Sequence, residues 1–230
     1  MGTIVNVILI VSGSLIGLIA KKVLKESLQE AVLLAMAVCI LVIGIKGALP
    51  TQQLLVLIAS VVIGTIIGES LKIDDRLTKF SENLEKKYFK NEGRFAQGFM
   101  IATCLYGIGA MAILGSIQSG LGNHDTLYAK SLLDGVTSIF LASVYGIGVM
   151  FSVIPIMIYQ GLLTLAAGLI KDYMSPEFIV ELEAVGSIMI IAIALNSLKL
   201  TKIKVANMLP SLIVLPVILL VILPFIATLW

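Results

Sequence analysis

The amino-acid sequence predicts an all-α polytopic membrane protein with about eight transmembrane helices and an inverted-topology internal repeat. Of its 230 residues, 59% are hydrophobic and only 13% are charged, whereas a soluble domain carries roughly 25% charged residues. Apolar segments near 20 residues in length recur along the chain, and a helix needs about that length to cross the hydrocarbon core. Two distant parts of the chain also match each other in order, which indicates the repeat.

The predicted spans follow one another with short connections. Their approximate ranges are 3–20, 30–49, 53–70, 95–117, 127–148, 151–171, 179–198 and 205–229. A very short turn is expected near Met150–Pro155, between the fifth and sixth spans. Pro210 and Pro216 should kink the eighth span, because proline removes a backbone hydrogen-bond donor.

Residues 72–94 form the one substantial hydrophilic segment between the spans. Apolar residues recur in it at spacings of three and four, which is typical of an amphipathic helix. Such a helix lies either on the membrane surface, in contact with lipid, or in water as a connector, and the sequence leaves both open. Asp74 and Asp75 are placed to cap its start.

The lysines and arginines predict the orientation. With the N-terminus outside, thirteen of the 16 basic residues fall in cytoplasmic loops, and Lys46, Lys130 and Lys171 fall outside. Cytoplasmic loops carry the excess of basic residues in membrane proteins. We therefore expect both termini to be extracytoplasmic.

The internal repeat is predicted from matches at a fixed offset. Glu26 and Glu30 recur 151 residues later as Glu177 and Glu181. The first three spans would pair with the last three in opposite orientation, as in many secondary transporters. The expected division of this single transmembrane domain is a repeat A at about 1–70, a cytoplasmic segment at 72–94, central helices at 95–150 and a repeat B at about 151–230.

A polar stripe runs through the fifth predicted span. Lys130, Asp134, Thr137 and Ser138 lie at helical spacings that put them on one face. A charged group at bilayer depth costs about 2.5–3.5 kcal/mol on insertion scales, so it faces protein or water. We expect Asp134 near the centre of the protein, where it either binds a coupling ion or proton or only pairs with Lys130.

Two glycine-rich stretches accompany this stripe. The sequence YGIG occurs at 106–109 and again at 145–148. Gly107, Gly109, Gly146 and Gly148 lack side chains, so helices can cross closely there and expose carbonyl groups to an ion. The nearby Ser116 and Gln118 form either a re-entrant or broken helix end or an ordinary extracellular turn. All of these are candidate substrate or ion ligands.

Other polar and small residues have structural interpretations. Asn6, Gln160, Asn196 and Asn207 would line a cavity or, more commonly, join helices by hydrogen bonds. Ser60, Gly64 and Gly68 form a groove on the third span. Another helix fills such a groove, either from a second copy, which predicts a homo-oligomer, or from the same chain.

Four stretches resemble one known family. They are GTIVNVILIVSGSLIGL near the start, YGIGAMAILGSIQSGL and KSLLDGVTSIFLAS in the centre, and VANMLPSLI near the end. Together they resemble the YdfK/YqgA-like bacterial membrane proteins, the family of domain of unknown function 554. The resemblance implies an integral inner-membrane protein and supplies no substrate or catalytic residues.

Three classes of function compete. A small secondary transporter or channel-like carrier of an ion or small polar solute is favoured; a structural or regulatory membrane subunit is the alternative. An enzyme is not expected, because the sequence lacks recognised catalytic motifs and has one histidine. We expect no catalytic residues, metal site or cofactor, membrane lipids and a small solute or ion as partners, and no nucleic acid.

Overall fold

The computed structural model describes residues 1–23, 26–79, 94–107, 109–170 and 175–222. All regular secondary structure in these ranges is helical, which confirms the all-α class. Within the described residues, six helices are long and apolar enough to cross a membrane, and a bent helix pair adds a seventh if it is counted as one span. The eighth predicted span runs past residue 222, so the count of eight stays a prediction.

The helices follow the predicted spans closely. Their bounds are α1 Gly2–Val23, α2 Glu26–Ala48, α3 Leu54–Leu71, α4 Phe95–Gly107, α5 Ala110–Gly120, α6 Asp125–Tyr145, α7 Gly148–Phe151, α8 Val153–Ile170, α9 Pro176–Ser197 and α10 Ser211–Val217. A 3-10 helix, Val205–Met208, precedes α10, and a π-helical turn, Ile218–Ile222, follows it. The last element is irregular around Pro210 and Pro216, as the prolines predict.

The fourth predicted span is not one helix. It divides into α4 and α5, which bend by 60° relative to each other. Gly109 stands at the division with φ of 154°, a backbone conformation that favours glycine. The predicted span over 95–117 therefore corresponds to a bent helix pair, because this glycine adopts a conformation that does not continue a helix.

Two short turns precede the main helix of the sixth span. Gly146, with φ of 78°, ends α6, and α7 begins at Gly148. The second turn, at Ser152 between α7 and α8, lies in the predicted range, and Pro155 sits in the first turn of α8. Proline is tolerated there because the first N–H groups of a helix have no partner within it.

Glycine contacts fix how the long helices pair. A Cβ on Gly13 or Gly17 would collide with the backbone of α6, at Gly135 and Ile139 respectively. These contacts advance in the same direction along both helices, so α1 and α6 are parallel. Gly120 of α5 packs in the same way on Thr164 of α8, and this pair is also parallel.

Two further helix pairs are antiparallel. Gly44 of α2 meets Ile191 of α9, and Gly47, later in α2, meets the earlier residue Ser187. Helix α3 pairs in the same sense with the chain from Val205 to Ile222. Small residues let the backbones approach in each case.

The small-residue groove on α3 is filled by the same chain. A Cβ on Gly64 would collide with Ser211, and one on Gly68 would collide with Asn207. The hypothesis that a second copy binds through Ser60, Gly64 and Gly68 is therefore wrong. A homo-oligomer through another surface stays untested.

One end of the helix assembly carries a polar cluster, which we name the rim cluster: Glu69, Asp74, Asp75, Lys204 and Asn207. Asn207 Oδ1 accepts a 2.7 Å hydrogen bond from the backbone N–H of Asp74, and Asp74 Oδ1 accepts one of 3.3 Å from Ala206. The sequence predicts that Asp74 caps the start of its own helix. In the structure, the Asp74 carboxylate caps the 3-10 helix Val205–Met208. Residues 73–79 are helical; the rest of the predicted amphipathic helix lies outside the described residues.

The opposite end is held by a single buried carboxylate. Glu181 of α9 accepts hydrogen bonds from the backbone N–H groups of Gln52 and Gln53, at 2.7 and 3.1 Å, and from the Thr51 hydroxyl. These donors precede α3, whose first N–H groups have no partner within the helix. Glu181 therefore caps α3 from a different helix.

Large apolar side chains cover the outer surface. Leu165 is 86% exposed and Leu55 is 82% exposed, while the polar residues Asn6 and Gln160 are fully buried. This arrangement suits a hydrocarbon solvent, which accepts leucine and excludes unpaired amides.

Candidate functional site

Helix α6 buries the charged part of its predicted polar stripe. Lys130, Asp134 and Ser138 are spaced four residues apart and all three are buried. The Lys130 ammonium donates to the Asp134 carboxylate in an ion pair between successive turns. Ser138 Oγ donates a 2.7 Å hydrogen bond to the Asp134 carbonyl oxygen.

Three other helices contribute to the same place. Tyr106, at the end of α4, has its hydroxyl 2.8 Å from Ser138 Oγ. Its ring centroid lies 5.8 Å from Lys130 Nζ, within the range of a cation–π contact. On the other side, Asn6 of α1 lies within hydrogen-bonding reach of Asp134. It also donates a 3.1 Å hydrogen bond to Gln160 Oε1 of α8.

We name this set the polar junction: Asn6, Tyr106, Lys130, Asp134, Ser138 and Gln160. Its position along α6 is central. Asp134 stands nine residues after the start of a 21-residue helix, which places it roughly 14 Å along a helix about 31 Å long. The junction therefore lies near the middle of α6.

The junction is incompletely hydrogen-bonded. Within the described part of the chain, Asn6 Oδ1 and Gln160 Nε2 are buried and have no hydrogen-bond partner. A buried amide group without a partner costs about 1–3 kcal/mol in proteins. The junction thus offers one free acceptor and one free donor beside a charged pair.

Thr137 does not join the junction. It is less buried than Asp134 and Ser138, and its hydroxyl donates a 2.7 Å hydrogen bond to the Leu133 carbonyl of its own helix. Around the helix Thr137 lies about 60° from Asp134 and about 100° from Ser138, at the edge of the face that those two residues share.

Ser116 and Gln118 lie in the last turns of α5, the second helix of the bent pair. Ser116 Oγ bonds to the Ala112 carbonyl at 2.6 Å. Gln118 Oε1 accepts a 2.7 Å hydrogen bond from Thr126 at the start of α6. Gln118 therefore joins α5 to α6, whereas the Ser116 hydroxyl bonds within α5, and neither residue belongs to the polar junction.

The glycines of the two YGIG stretches make different contacts. Gly148 packs on the carbonyl of Phe95, and Gly107 meets the side chain of Ile156. Gly109 and Gly146 form the two helix breaks. The structure thus assigns these glycines roles in breaks and close packing, and places only the neighbouring Tyr106 in the junction.

A cavity of about 220 Å³ lies behind α4, and it is apolar. Its lining consists of Thr103, Cys104, Gly107, Ile113, Pro155, Ile156, Tyr159, Leu182, Leu209 and Leu212. The sequence predicts a polar cavity beside Asp134. The lining of the apolar cavity includes neither Asp134 nor Ser138, so it is not the predicted one. A ligand for this cavity would have to be hydrocarbon-like.

The rim cluster concentrates charge at one end of the helix assembly. Lys204 Nζ lies 3.3 Å from Asp75 and 3.4 Å from Glu69, and these hydrogen bonds raise the pKa of Lys204. Partial burial raises the pKa of Asp74. Among the described residues, no three His, Cys, Asp or Glu side chains form a metal-binding group.

Sequence reasoning missed Tyr106 as a member of the junction. Asn6 and Gln160 were recognised as possible cavity residues, but they lie 154 residues apart, so their pairing was not visible. One feature of the sequence could have indicated Tyr106: it stands directly before Gly-x-Gly, where the helix ends.

The comparisons with known proteins agree with this architecture. Residues 1–220 match the family described as "Protein of unknown function (DUF554)". The chain is 34% identical over 226 residues to "Uncharacterized membrane protein YdfK" of Bacillus subtilis (strain 168), covering 96% of both chains. It is 26% identical over 218 residues to "Uncharacterized protein YqgA" of Escherichia coli (strain K12), covering 92% of this chain and 93% of that one.

No solved structure matches the chain. The family match extends over nearly the whole chain, and it confirms the resemblance found in the four sequence stretches. The protein is an integral membrane protein that belongs to the DUF554 family.

Proposed function

We propose that this protein is a small secondary transporter or channel-like carrier of an ion or small polar solute. The observation that carries the proposal is the polar junction. Four helices bury an ion pair, a tyrosine, a serine and two amides at mid-depth, and leave two amide atoms unpaired. Ionisable groups inside a membrane mark substrate or ion pathways by default.

A purely structural role explains the junction poorly. Replacing a buried ion pair by apolar residues of similar volume is often neutral or stabilising, by about 1–4 kcal/mol. The unpaired amides add a further cost. A scaffold would gain stability from apolar residues at Lys130 and Asp134, whereas a carrier needs the polar groups for its solute.

The inverted repeat is part of the proposal. Glu30 pairs with Lys199 at 3.0 Å, and Glu181, 151 residues later, caps the chain at 51–53. A two-fold relation with that offset takes Lys199 to position 48, three residues before Thr51, so the two contacts lie at similar places in the two halves. The antiparallel pairs of α2 with α9 and of α3 with α10 also fit it. Inverted repeats place substrates near the bilayer midplane.

We further propose that the protein resides in the bacterial inner membrane with both termini outside. The rim cluster then faces the cytoplasm, in accord with the basic loops. Transport would be passive or driven by a gradient, with no covalent chemistry by the protein. The lipid-facing leucines account for lipid as a partner.

Flux measurements test the transport proposal. A solute-accumulation screen in cells lacking the protein would identify a substrate, and flux would then be measured in proteoliposomes. Asp134→Asn should abolish flux while the protein stays folded. Thr137→Val, three residues away and outside the junction, is the matched control and should retain flux. Unchanged flux in Asp134→Asn would favour the structural or regulatory subunit.

Cysteine labelling tests the orientation. In a variant with Cys39 and Cys104 replaced, Arg76→Cys and Asn123→Cys introduce single thiols at exposed positions at opposite ends of the assembly. An impermeant maleimide added to cells should label Asn123→Cys alone. Labelling of Arg76→Cys alone would reverse the proposed orientation.

A further inference from the structure

We propose that the apolar cavity behind α4 binds a small apolar molecule that carries one carbonyl group. The site is separate from the polar junction, and the inference does not depend on the transport proposal. It follows from three observations: the size and apolar lining of the cavity, the buried Thr103 hydroxyl that has no partner among the described residues, and the position of the lining beside the outer surface.

The lining of the cavity selects against ions and strongly polar solutes. Its side chains are aliphatic apart from the hydroxyl-bearing Thr103 and Tyr159 and the thiol of Cys104, and the described lining contains no charged residue. A charged solute would lose its hydration there and would find few hydrogen-bonding groups in return, which is costly. The ligand must therefore be mostly hydrocarbon.

The volume of the cavity limits the size of the ligand. An apolar cavity of about 150 Å³ takes up benzene, and this cavity measures about 220 Å³. In proportion, it holds a molecule of about nine heavy atoms. Such a molecule is far smaller than a phospholipid, so the cavity fits a small compound dissolved in the membrane.

The Thr103 hydroxyl indicates the polar group of the ligand. A threonine inside a helix commonly donates to the carbonyl four residues earlier, as Thr137 does to Leu133. Thr103 Oγ1 is buried in the wall of the cavity and has no such partner among the described residues. A carbonyl oxygen accepts a hydrogen bond and brings no hydrogen that would itself need a buried acceptor. A carbonyl group therefore complements this hydroxyl.

The cavity lies beside the surface that faces the membrane. Its lining residues Tyr159 and Leu212 are half-buried, and their chain neighbours Ile158 and Ile213 are exposed. A phospholipid keeps its ester carbonyls at the interface, about 15 Å from the centre of the hydrocarbon core. Thr103 lies one helical turn before Tyr106, whose hydroxyl contacts the central part of α6. A free membrane-dissolved molecule therefore suits this site better than a phospholipid ester.

A bound molecule would touch both halves of the bent helix pair. Thr103 lies in α4 and Ile113 in α5, and residues of α8, α9 and the chain at 209–212 complete the lining. A ligand that binds the folded arrangement stabilises it in proportion to its occupancy. The molecule would therefore favour the bent conformation of α4 and α5.

Two probes of matched shape test the site. Acetophenone has the expected size and one carbonyl group, and α-methylstyrene has a methylene group in place of the carbonyl oxygen. Headspace gas chromatography measures the free probe above full-length protein in phospholipid nanodiscs, and empty nanodiscs of the same lipid give the uptake by lipid. We expect acetophenone to bind about fivefold more tightly, the equivalent of one hydrogen bond. Equal binding of both probes, or none beyond empty nanodiscs, would overturn the inference.

Variants separate the hydroxyl group from the space. Thr103→Val keeps the shape and removes the donor, so acetophenone should bind about fivefold more weakly and no better than α-methylstyrene. Gly107→Leu places a side chain in the cavity, starting 3.3 Å from Ile156, and should abolish the binding of both probes. Gly161→Leu, where the added Cβ meets open space, is the matched control and should bind as the unmodified protein does.

Three outcomes of these measurements contradict the site. A preference for acetophenone that persists in Thr103→Val would show that another group recognises the carbonyl; this variant preserves the shape, so it decides the matter even if Gly107→Leu does not fold. Undiminished binding to folded Gly107→Leu would place the probe outside the cavity. Binding in detergent that disappears in phospholipid nanodiscs would show that a phospholipid acyl chain occupies the cavity.

Discussion

Two parallel helix pairs in this protein pack alike and carry different chemistry. In the first pair, Gly13 of α1 lies on the backbone of α6; in the second, Gly120 of α5 lies on the backbone of α8, at Thr164. Gly13 and Thr164 are separated by 151 residues, the offset of the predicted repeat. Close backbone approach is therefore a property that the two pairs share.

The side chains around these contacts differ. The first pair buries Asp134 and its ion pair, whereas the second buries Ser116, whose carbonyl accepts a 3.1 Å hydrogen bond from Thr164. The cavity beside the second pair is apolar. The comparison teaches that the two helix pairs share the same close glycine packing, which we call the frame. Only one of these two similar frames carries a buried ion pair, that of Lys130 with Asp134.

Removing one charge of the buried ion pair should have the largest effect on the free energy of unfolding. Lys130→Met leaves the Asp134 carboxylate buried and unpaired, and losing one partner of a buried ion pair costs about 3–5 kcal/mol. The free energy of unfolding in mixed detergent micelles measures this loss. The double variant Lys130→Met with Asp134→Leu should recover most of it. A single variant as stable as the unmodified protein would show that the pair is accessible to water.

Adding one methyl group to each frame should affect both pairs equally. Gly13→Ala and Gly120→Ala each direct a Cβ at a carbonyl oxygen of the partner helix, so each should lower the free energy of unfolding by about 1–3 kcal/mol. Gly161→Ala and Gly168→Ala are controls with open space around the new Cβ. A loss in only one of the two pairs would show that the frames are not equivalent.

Removing uncharged hydroxyl groups should have smaller effects on the free energy of unfolding, with opposite signs in the polar junction and beside the apolar cavity. Tyr106→Phe removes the hydrogen bond to Ser138 in the junction and should cost about 1 kcal/mol. Thr103→Val, beside the apolar cavity, removes a buried hydroxyl that has no partner among the described residues, and should stabilise the protein by about 1 kcal/mol. The same unfolding measurement tests both, and changes of equal sign would contradict the contrast.

The smallest effect is expected at the rim cluster, where a carboxylate is near water. Burial raises the pKa of Asp74, so folding favours its protonated form. That contribution is fully present below the unfolded-state pKa, near 4, and is lost as the pH rises through the higher folded-state value. Asp74→Asn should therefore gain stability relative to the unmodified protein over that pH window, measured by unfolding at several pH values. A relative loss would mean that the charge is stabilised.

Much of the fold was predictable because apolar length and proline position are local signals. The ranges of α1, α2, α3 and α9 follow directly from such runs. The break at Gly109 was not predicted, since a Gly-x-Gly sequence is compatible with a continuous helix and the contacts that favour a break come from elsewhere in the chain. The exchange of caps between Asp74 and Asn207 likewise depends on residues 133 positions apart.

The candidate site was predicted in part for the same reason. Lys130, Asp134 and Ser138 share one helix, so helical periodicity alone groups them. Asn6, Tyr106 and Gln160 reach the junction from three other helices, and their grouping depends on tertiary packing that a single sequence does not reveal. Thr137 was included because a stripe at helical spacing is broader than the face that is actually buried.

The cap that Glu181 provides to α3 has a consequence for biogenesis. The carboxylate is translated about 128 residues after the backbone groups that it binds. While α3 enters the membrane, its first N–H groups must be satisfied by interfacial water or lipid head groups, because free amides are costly in hydrocarbon. The N-terminal end of α3 is therefore completed only when α9 has been inserted, so a nascent chain truncated before that helix should leave this end open to hydrogen exchange.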